Sequence, residues 1–318
     1  MASEFKLIER FFTRPVPDTV LGVGDDAALL RVNDGMELAV STDMLVSGTH
    51  FFPDTPSFFL GHKALAVNLS DMAAMGAQPR WATLALSLPA VDDDWLEKFS
   101  AGLFHLADEH QINLIGGDTT RGPLNLCITI MGEVPEGQAL RRSGAQVGDD
   151  IWVSGVLGDA AIALAHMQGH VKLPRQNFET CSLALHQPAP RVALGLALRG
   201  IANSAIDISD GLLADIGHIL KSSGVGAEIA FSALPVSSVL QPFLDQPLGR
   251  RCVLAGGDDY ELCFTAPAIF RSAVEKVAVT LGLRITCIGT ITQGNRCEVH
   301  AKDGSTVDVG VSGYDHFR

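Results

Sequence analysis

The segment Met36-Glu-Leu-Ala-Val-Ser-Thr-Asp43 joins an apolar run to polar residues, and this combination recurs along the chain. It predicts a strand over 36–41 that passes into a polar turn at Thr42 and Asp43. Similar acidic turns occur at Gly22-Val-Gly-Asp-Asp26, Gly116-Gly-Asp-Thr119 and Asp207-Ile-Ser-Asp-Gly211. A further acid, Asp71, falls in a predicted helix over 60–75. Helices alternate with such strands, which indicates an α/β protein.

The turn-rich stretch 135–148 predicts a division into two α/β domains, 1–147 and 148–318. A short motif occurs once in each half, as Ile115-Gly-Gly-Asp118 and as Ala255-Gly-Gly-Asp258, each time after an apolar run. This repetition favours two related domains. The segment 241–250 has the composition of a surface loop.

Composition excludes several classes of protein. The 318 residues carry a net charge of −13, and no basic patch suited to nucleic acid is visible. No apolar stretch is long enough to span a bilayer. The acidic start of the sequence lacks a signal-peptide core, so we expect a cytoplasmic protein. The six cysteines form no C-x-x-C pair, which favours free thiols.

The acidic turns predict a site for divalent cations. In open α/β folds ligands gather at the carboxyl ends of strands, and carboxylates that converge there repel one another unless cations intervene. Magnesium is usually held by a few carboxylates together with substrate phosphates. Several ions bridging two phosphorylated ligands would suit these turns. The alternative is ordinary turn chemistry, which we expect for Gly148-Asp-Asp150.

Other candidates remain open on the sequence alone. The chain has no Walker A motif and no protein-kinase signature set, so any phosphate-binding device would be metal-centred. Arg142 could hold phosphate oxygens or lie in a solvated turn. His50 could be structural or functional.

Taken in order, the motifs resemble those of the thiamine-monophosphate kinase family, within the superfamily that includes aminoimidazole ribonucleotide synthetase. The resemblance covers essentially the whole chain. It rests on Gly22-Val-Gly-Asp-Asp-Ala-Ala-Leu-Leu30, Ser41-Thr-Asp-Met-Leu45, Gly48-Thr-His-Phe51, Lys63-Ala-Leu-Ala-Val-Asn-Leu-Ser-Asp-Met-Ala-Ala-Met-Gly76, Leu114-Ile-Gly-Gly-Asp-Thr-Thr-Arg-Gly122, Ile206-Asp-Ile-Ser-Asp-Gly211 and Gly256-Gly-Asp-Asp-Tyr-Glu-Leu262.

The resemblance implies an activity and a set of site residues. The expected reaction is magnesium-dependent, direct in-line transfer of the γ-phosphoryl group of ATP to thiamine monophosphate, giving thiamine diphosphate and ADP. The implied metal ligands are Asp26, Ser41, Thr42, Asp43, Asp71, Asp118, Asp207 and Asp210. The implied ATP contacts are Gly117, Arg142 and Ser209, and the implied substrate contacts are His50, Asp258 and Val311.

The chain departs from the family pattern at two of these positions. Position 258 usually carries glutamate in the family, and Asp258 is one methylene shorter. The position of an aromatic substrate contact corresponds to Val311, three residues before Tyr314, which is a candidate substitute.

The resemblance also implies an architecture. We expect an N-terminal domain that binds ATP and metal and contributes strands to a barrel across a homodimer interface, and a C-terminal domain that completes the active-site cleft. The alternatives are another ATP-dependent enzyme of the superfamily, such as an aminoimidazole ribonucleotide synthetase, or a non-catalytic cation-binding dimer module. Selenophosphate synthetase and the hydrogenase-maturation relative fit poorly, because each needs a reactive cysteine at one end of the chain.

Overall fold

The computed structural model describes residues 4–17, 19–308, 310 and 313–314. The chain divides into two compact units. Unit 1 extends to Met72 and resumes over Ala77–Gly137, whereas unit 2 comprises Ala73–Gly76 and the chain from Gln138 onward. The units change between Gly137 and Gln138, earlier than the predicted boundary at 147/148. The roles assigned to the two halves stay predictions.

Unit 1 is a sheet with helices. Its helices are α1 (Glu4–Leu7), α2 (Ser57–Ala74) and α3 (Asp93–Glu109), with a π-helical turn at Ile8–Phe12. Its strands are β1 (Met36–Val46), β2 (Gln78–Leu88), β3 (Asn113–Arg121) and β4 (Asn125–Pro135). Among the described residues the sheet has four strands, in the order β1-β4-β2-β3. Strand β4 is antiparallel to β1 and β2, and β2 is parallel to β3.

Strand β1 separates two environments. Leu38, Val40 and Met44 alternate along one face and are 43%, 56% and 57% exposed. Ala39, Ser41 and Asp43 point to the other face, where the hydroxyl of Ser41 donates to a side chain of α2. Helix α2 therefore covers one face of the sheet at this edge, and a row of apolar side chains lies in the open on the other.

Two glycines permit a close approach of α2 and α3. A Cβ atom on Gly61 of α2 would lie 2.0 Å from the carbonyl oxygen of Phe99, and one on Gly102 of α3 would lie 1.9 Å from that of Phe58. The contact is reciprocal, because each helix presents a glycine to the backbone of the other. This close approach brings Leu96, Phe99 and Leu103 into the core beside α2.

Unit 2 is built on a larger sheet. Its helices are α4 (Asp159–Met167), α5 (Arg175–His186), α6 (Val192–Leu198), α7 (Leu212–Ser223), α8 (Pro247–Ala255) and α9 (Arg271–Leu281). Short 3-10 turns lie at Phe231–Ala233, Gln241–Phe243 and Ala268–Phe270. Its strands are β5 (Asp149–Ser154), β6 (Ser204–Asp207), β7 (Gly226–Ala230), β8 (Leu262–Pro267), β9 (Ile285–Thr292) and β10 (Cys297–His300).

The sheet of unit 2 is mixed. Within the described part of the chain it has six strands, in the order β10-β7-β9-β5-β8-β6. Only the β10–β7 pair is parallel among the pairs that the structure describes there. Apolar residues of β5, β6, β8 and helices α4, α7 and α8 form one buried cluster. Both halves are thus α/β, as the alternation of elements predicts.

Three local predictions were wrong. Thr42-Asp43 and Gly116-Gly-Asp118 are not turns, because pairing with β4 and β2 carries β1 and β3 through them. The predicted loop over 241–250 contains the start of α8. Pro247 there occupies the first turn of the helix, where a missing N–H costs no hydrogen bond.

Two expectations from composition can be compared with the structure. Across the described ranges, no helix is both long and apolar enough to cross a membrane. The six cysteines, all of which lie in those ranges, are free thiols, as expected.

The reciprocal glycines give a test of the α2–α3 contact. Gly61→Ala and Gly102→Ala should each lower the free energy of unfolding by about 1–3 kcal/mol, because the new methyl groups have no room. Urea denaturation followed by tryptophan fluorescence measures this change. Gly217→Ala in α7 is the control, since a Cβ atom there meets nothing within 4 Å. Equal effects in all three variants would contradict the account.

Candidate functional site

An acidic pair forms where β1 lies on α2. The hydroxyl of Ser41 donates to Oδ2 of Asp71, and the main-chain N–H of Asp43 donates to Oδ1 of Asn68 at 3.2 Å. Asn68 is itself fixed, because its Nδ2 donates to the carbonyl of Ala64 at 2.9 Å. Burial and the nearby charge of Asp71 raise the pKa of Asp43 to about 6. The sequence expectation that Ser41, Asp43 and Asp71 lie near one another agrees with these contacts.

Thr42 lies apart from this pair. Its hydroxyl shares a hydrogen bond of 2.8 Å with the hydroxyl of Thr129 on β4. Successive side chains of a strand point to opposite faces, so the Thr42 side chain is on the face opposite to Ser41 and Asp43. A metal-ligand role for Thr42 would have to use its main-chain oxygen.

His50 is oriented by the turn that follows β1. Its Nδ1 accepts the main-chain N–H of Val46 at 2.9 Å, and the main-chain N–H of His50 donates to the carbonyl of Val46 at 2.9 Å. Because Nδ1 is an acceptor, the neutral ring carries its proton on Nε2. In this form the ring carries a hydrogen-bond donor at Nε2.

A cleft of about 600 Å³ lies within unit 1. It is lined by Ile8, Phe12 and residues 23–28, 83–84 and 114–119. The cleft brings Asp26, Gly117 and Asp118 to one place, and both carboxylates are exposed. Gly117 is required there, because its φ is 149° and a Cβ atom would lie 1.8 Å from the carbonyl oxygen of Leu84. The cleft combines an apolar part with an acidic rim, which suits a ligand that carries both a base and phosphates.

The predicted ligands of unit 1 thus fall into two groups. Asp26 and Asp118 line the cleft, whereas Asp43 and Asp71 lie at the junction of β1 and α2. Over the residues that the structure describes, no group of three or more His, Cys, Asp or Glu side chains is arranged to hold a metal ion.

In unit 2 the loop between β6 and α7 is organised by an internal carboxylate. Oδ2 of Asp215 accepts the main-chain N–H groups of Ser209, Asp210 and Gly211 at 3.0, 3.1 and 3.0 Å. Burial and the charge of Asp210 raise the pKa of Asp215 to about 7, against the effect of these hydrogen bonds. Three converging N–H groups form the kind of nest that binds an anion, and Asp215 fills it from within.

The remaining predicted residues of unit 2 differ in burial and in their distance from this loop. Asp207 ends β6 and is 5% exposed. The N–H of Asp258 donates to the carbonyl of Ser209 at 2.9 Å, so these two predicted contacts are neighbours. Arg142 has an exposed side chain, and its carbonyl accepts from the hydroxyl of Ser223 at 3.3 Å. Val311 lies outside the described residues.

Sequence reasoning missed the residues that hold these loops. Asp215 lies four residues after Gly211 in the first turn of α7, and an acid there is a recognisable helix-start signal. The buried Glu261 and the partly buried Arg191 form an ion pair beside the Asp258 loop. Seventy positions separate them in the chain, so no local pattern could have paired them.

Family models and known proteins match the chain over most of its length. The family model of the N-terminal domain of AIR synthase related proteins matches residues 24–134, and that of the C-terminal domain matches 146–302. The thiamine-monophosphate kinase of Escherichia coli K12 is 48% identical over 318 residues, covering 99% of this chain and 98% of that one.

Solved structures of thiamine-monophosphate kinases also resemble this chain. A thiamine-monophosphate kinase from Stenotrophomonas maltophilia is 51% identical with a TM-score of 0.86, covering 95% of this chain and 96% of that chain. AaThiL complexed with AMPPCP and TMP is 29% identical with a TM-score of 0.78, covering 90% and 89%. The chain therefore belongs to the thiamine-monophosphate kinase family, within the AIR synthase related proteins.

Proposed function

We propose that this protein transfers the γ-phosphoryl group of ATP to the phosphate of thiamine monophosphate, giving thiamine diphosphate and ADP. The observation that carries the proposal is the full-length similarity to thiamine-monophosphate kinases, at 48% identity to the enzyme of Escherichia coli K12. A related structure of the same fold holds AMPPCP and TMP together, which supports the same pair of ligands here.

The chemistry explains why the candidate site is rich in aspartate. A phosphate oxygen of the acceptor is already a nucleophile, so the transfer needs no serine, cysteine or general base. The obstacle is repulsion between two polyanions, and the contribution of the protein is alignment and neutralisation of charge. Direct in-line transfer is therefore the mechanism that fits best.

The acidic pair is suited to magnesium. Ser41, Asp43 and Asp71 offer hard oxygen donors, and the pKa of Asp43 is raised first by burial and then by the nearby charge of Asp71. Bound magnesium would neutralise phosphate charge and bridge phosphate oxygens. Asp26 and Asp118 would hold further ions at the rim of the cleft in unit 1, and Asp207 and Asp210 in unit 2.

The other candidates have complementary roles. Gly117 lets a nucleotide approach the main chain closely, and Arg142 offers a fork of donors to phosphate oxygens. Ser209 would contact ATP through its side chain or carbonyl, because its N–H is taken by Asp215. His50 would donate from Nε2 to the substrate, and Asp258 would face the cationic thiamine end.

The exposed face of β1 supports a homodimer. Leu38, Val40 and Met44 form an apolar row on a strand at the edge of its sheet, and such rows are usually covered. The N-terminal strands of two chains would close a barrel over this row. The partner is a second copy of the chain.

The choice of phosphoryl acceptor tests the proposed reaction. ADP release should be rapid with thiamine monophosphate and absent with free thiamine, because only the phosphorylated acceptor can be aligned with ATP through metal. A coupled assay at saturating ATP and magnesium measures both rates. Comparable turnover of free thiamine would contradict phosphate-to-phosphate transfer.

Substitution of two carboxylates tests the proposed metal ligands. Asp43→Asn and Asp118→Asn should each lower kcat/KM by about a hundredfold or more, the order seen when one charge-stabilising group is removed from an active site. The ligand-free melting temperature should hold or rise in Asp43→Asn, because the variant removes a charge that is disfavoured by burial and by repulsion from Asp71. Asp108→Asn is the control, since Asp108 forms a surface pair with Arg14 and its side chain is 71% exposed. Wild-type activity in both site variants would overturn the metal assignment.

The oligomeric state of variants of β1 tests the proposed dimer interface. Sedimentation velocity should find a dimer for the wild-type protein and a monomer for Val40→Asp, because a charge in the apolar row cannot be buried without a partner. Leu183→Asp on α5 is the matched control, since Leu183 is similarly exposed at 52% and should leave the dimer intact. A dimeric Val40→Asp would show that this face is not the interface.

A further inference from the structure

The segment Gly256–Glu261, between α8 and β8, has an unfavourable backbone. Asp258 and Tyr260 have φ angles of 70° and 49°, the left-handed region that residues with side chains rarely occupy. Such conformations persist only where the surroundings hold them in place. The segment therefore depends on its anchors for the position in which it presents Asp258.

Main-chain hydrogen bonds tie this segment to the loop after β6. The N–H of Asp258 donates to the carbonyl of Ser209 at 2.9 Å, and that of Tyr260 donates to the carbonyl of Ile208 at 2.8 Å. In return, the N–H of Ile208 donates to the carbonyl of Glu261 at 2.8 Å. A small shift of the segment would therefore move Asp258 relative to Ser209.

Two acids in the segment point inward and anchor it. Both carboxylate oxygens of Asp259 accept the N–H of Gly158, at 2.9 and 3.0 Å. Glu261 is 5% exposed and accepts from the hydroxyl of Ser154 at 2.5 Å. These acids alternate with Asp258 and Tyr260, so each residue in the left-handed region is next to an anchored one.

The Glu261 anchor is the more elaborate of the two. Arg191 approaches its carboxylate with Nε at 2.6 Å and with a second donor, Nη2, in a bidentate pair. The hydroxyl of Ser154 also accepts the N–H of Leu262 at 2.9 Å, which closes the contact onto the start of β8. A Cβ atom on Gly155 would lie 1.9 Å from Oε1 of Glu261, so glycine is required beside this carboxylate.

We propose that Glu261, held by Arg191, is a positioning residue that fixes the segment 256–261 and thereby sets the place of Asp258 for the phosphate-acceptor substrate. Glu261 acts through Asp258 and does not itself touch the substrate. The proposal rests on the proposed function, in which Asp258 faces the thiamine end of thiamine monophosphate.

The same unit contains a second bidentate arginine–carboxylate pair with a buried acid, which serves as a control. Asp150 is 1% exposed and is held by Arg271, with Nε at 2.6 Å and Nη2 at 2.7 Å. Asp150 lies on β5 four residues before Ser154, which places it roughly 13 Å along the strand from the Glu261 anchor. Both pairs join an arginine fork to a buried carboxylate, with Arg271 more exposed than Arg191, and of the two only the Glu261 pair touches the segment 256–261.

Steady-state kinetics with thermal melting separates positioning from stability. Glu261→Gln should raise KM for thiamine monophosphate about tenfold and leave KM for ATP within about twofold. Asp150→Asn should also lower the melting temperature, because it breaks a pair with a buried carboxylate, and should leave both KM values within about twofold. The proposal is overturned if Glu261→Gln leaves KM for thiamine monophosphate unchanged, or if Asp150→Asn raises it equally. Should Glu261→Gln fail to fold, Arg191→Lys is the alternative variant, because it keeps the positive charge and removes the bidentate contact. It should raise KM for thiamine monophosphate and leave KM for ATP within about twofold.

A double variant tests whether Glu261 acts through Asp258. Asp258→Asn alone should raise KM for thiamine monophosphate, and adding Glu261→Gln should raise it no further. Additive effects would overturn the positioning role. If Asp258→Asn has no effect in a protein that turns over thiamine monophosphate, the role of Asp258 and this inference both fall while the kinase function stands. Absence of wild-type turnover would instead overturn the proposed function itself.

Discussion

Repulsion between carboxylates that the fold holds close together is the constraint on which this site depends. Asp43 on β1 and Asp71 on α2 are partly buried and near each other, and burial with the charge of Asp71 raises the pKa of Asp43 to about 6. The contact of α2 with the sheet fixes this arrangement, and reciprocal glycines set α2 against α3 behind it. The fold thus maintains a concentration of negative charge that favours a bound cation.

Two kinds of acid lie at the β6–α7 and α8–β8 loops of unit 2. Asp215, Asp259 and Glu261 are engaged by main-chain N–H groups, a hydroxyl or an arginine, and they shape loops. Asp210 and Asp258 lie on the loops that those acids shape. An internal anion at the N–H groups of residues 209–211 also means that these groups are not open to a nucleotide phosphate.

Much of the fold could be predicted, because periodicity is a local property. Helices α2 and α3 and the α/β character of both halves follow from the spacing of apolar residues. Strand ends could not be predicted in the same way. Glycine and aspartate at 116–118 look like a turn, but pairing with β2 extends β3 to Arg121. Likewise Pro247 indicates a loop until its place in the first turn of α8 is known.

The candidate site was only partly predictable. Motif order identified the family and named the acids, and the structure places Asp26, Gly117 and Asp118 in one cleft. It also separates the Thr42 hydroxyl from Ser41 and Asp43, which follows from strand alternation once β1 is known to continue. Gly148-Asp-Asp150 does lead the chain into β5, as expected for a structural copy of the motif. The Glu261–Arg191 pair depends on tertiary contacts, so no pattern along the chain predicts it.

Calorimetric titration with AMPPCP, with magnesium and with EDTA, tests most directly whether the acidic site holds phosphates through divalent cations. Binding should be about a hundredfold or more tighter with magnesium, because without it the nucleotide phosphates meet carboxylates of the same sign. Equal affinity in EDTA would contradict the account, since it would mean that the protein binds the phosphates without a metal ion.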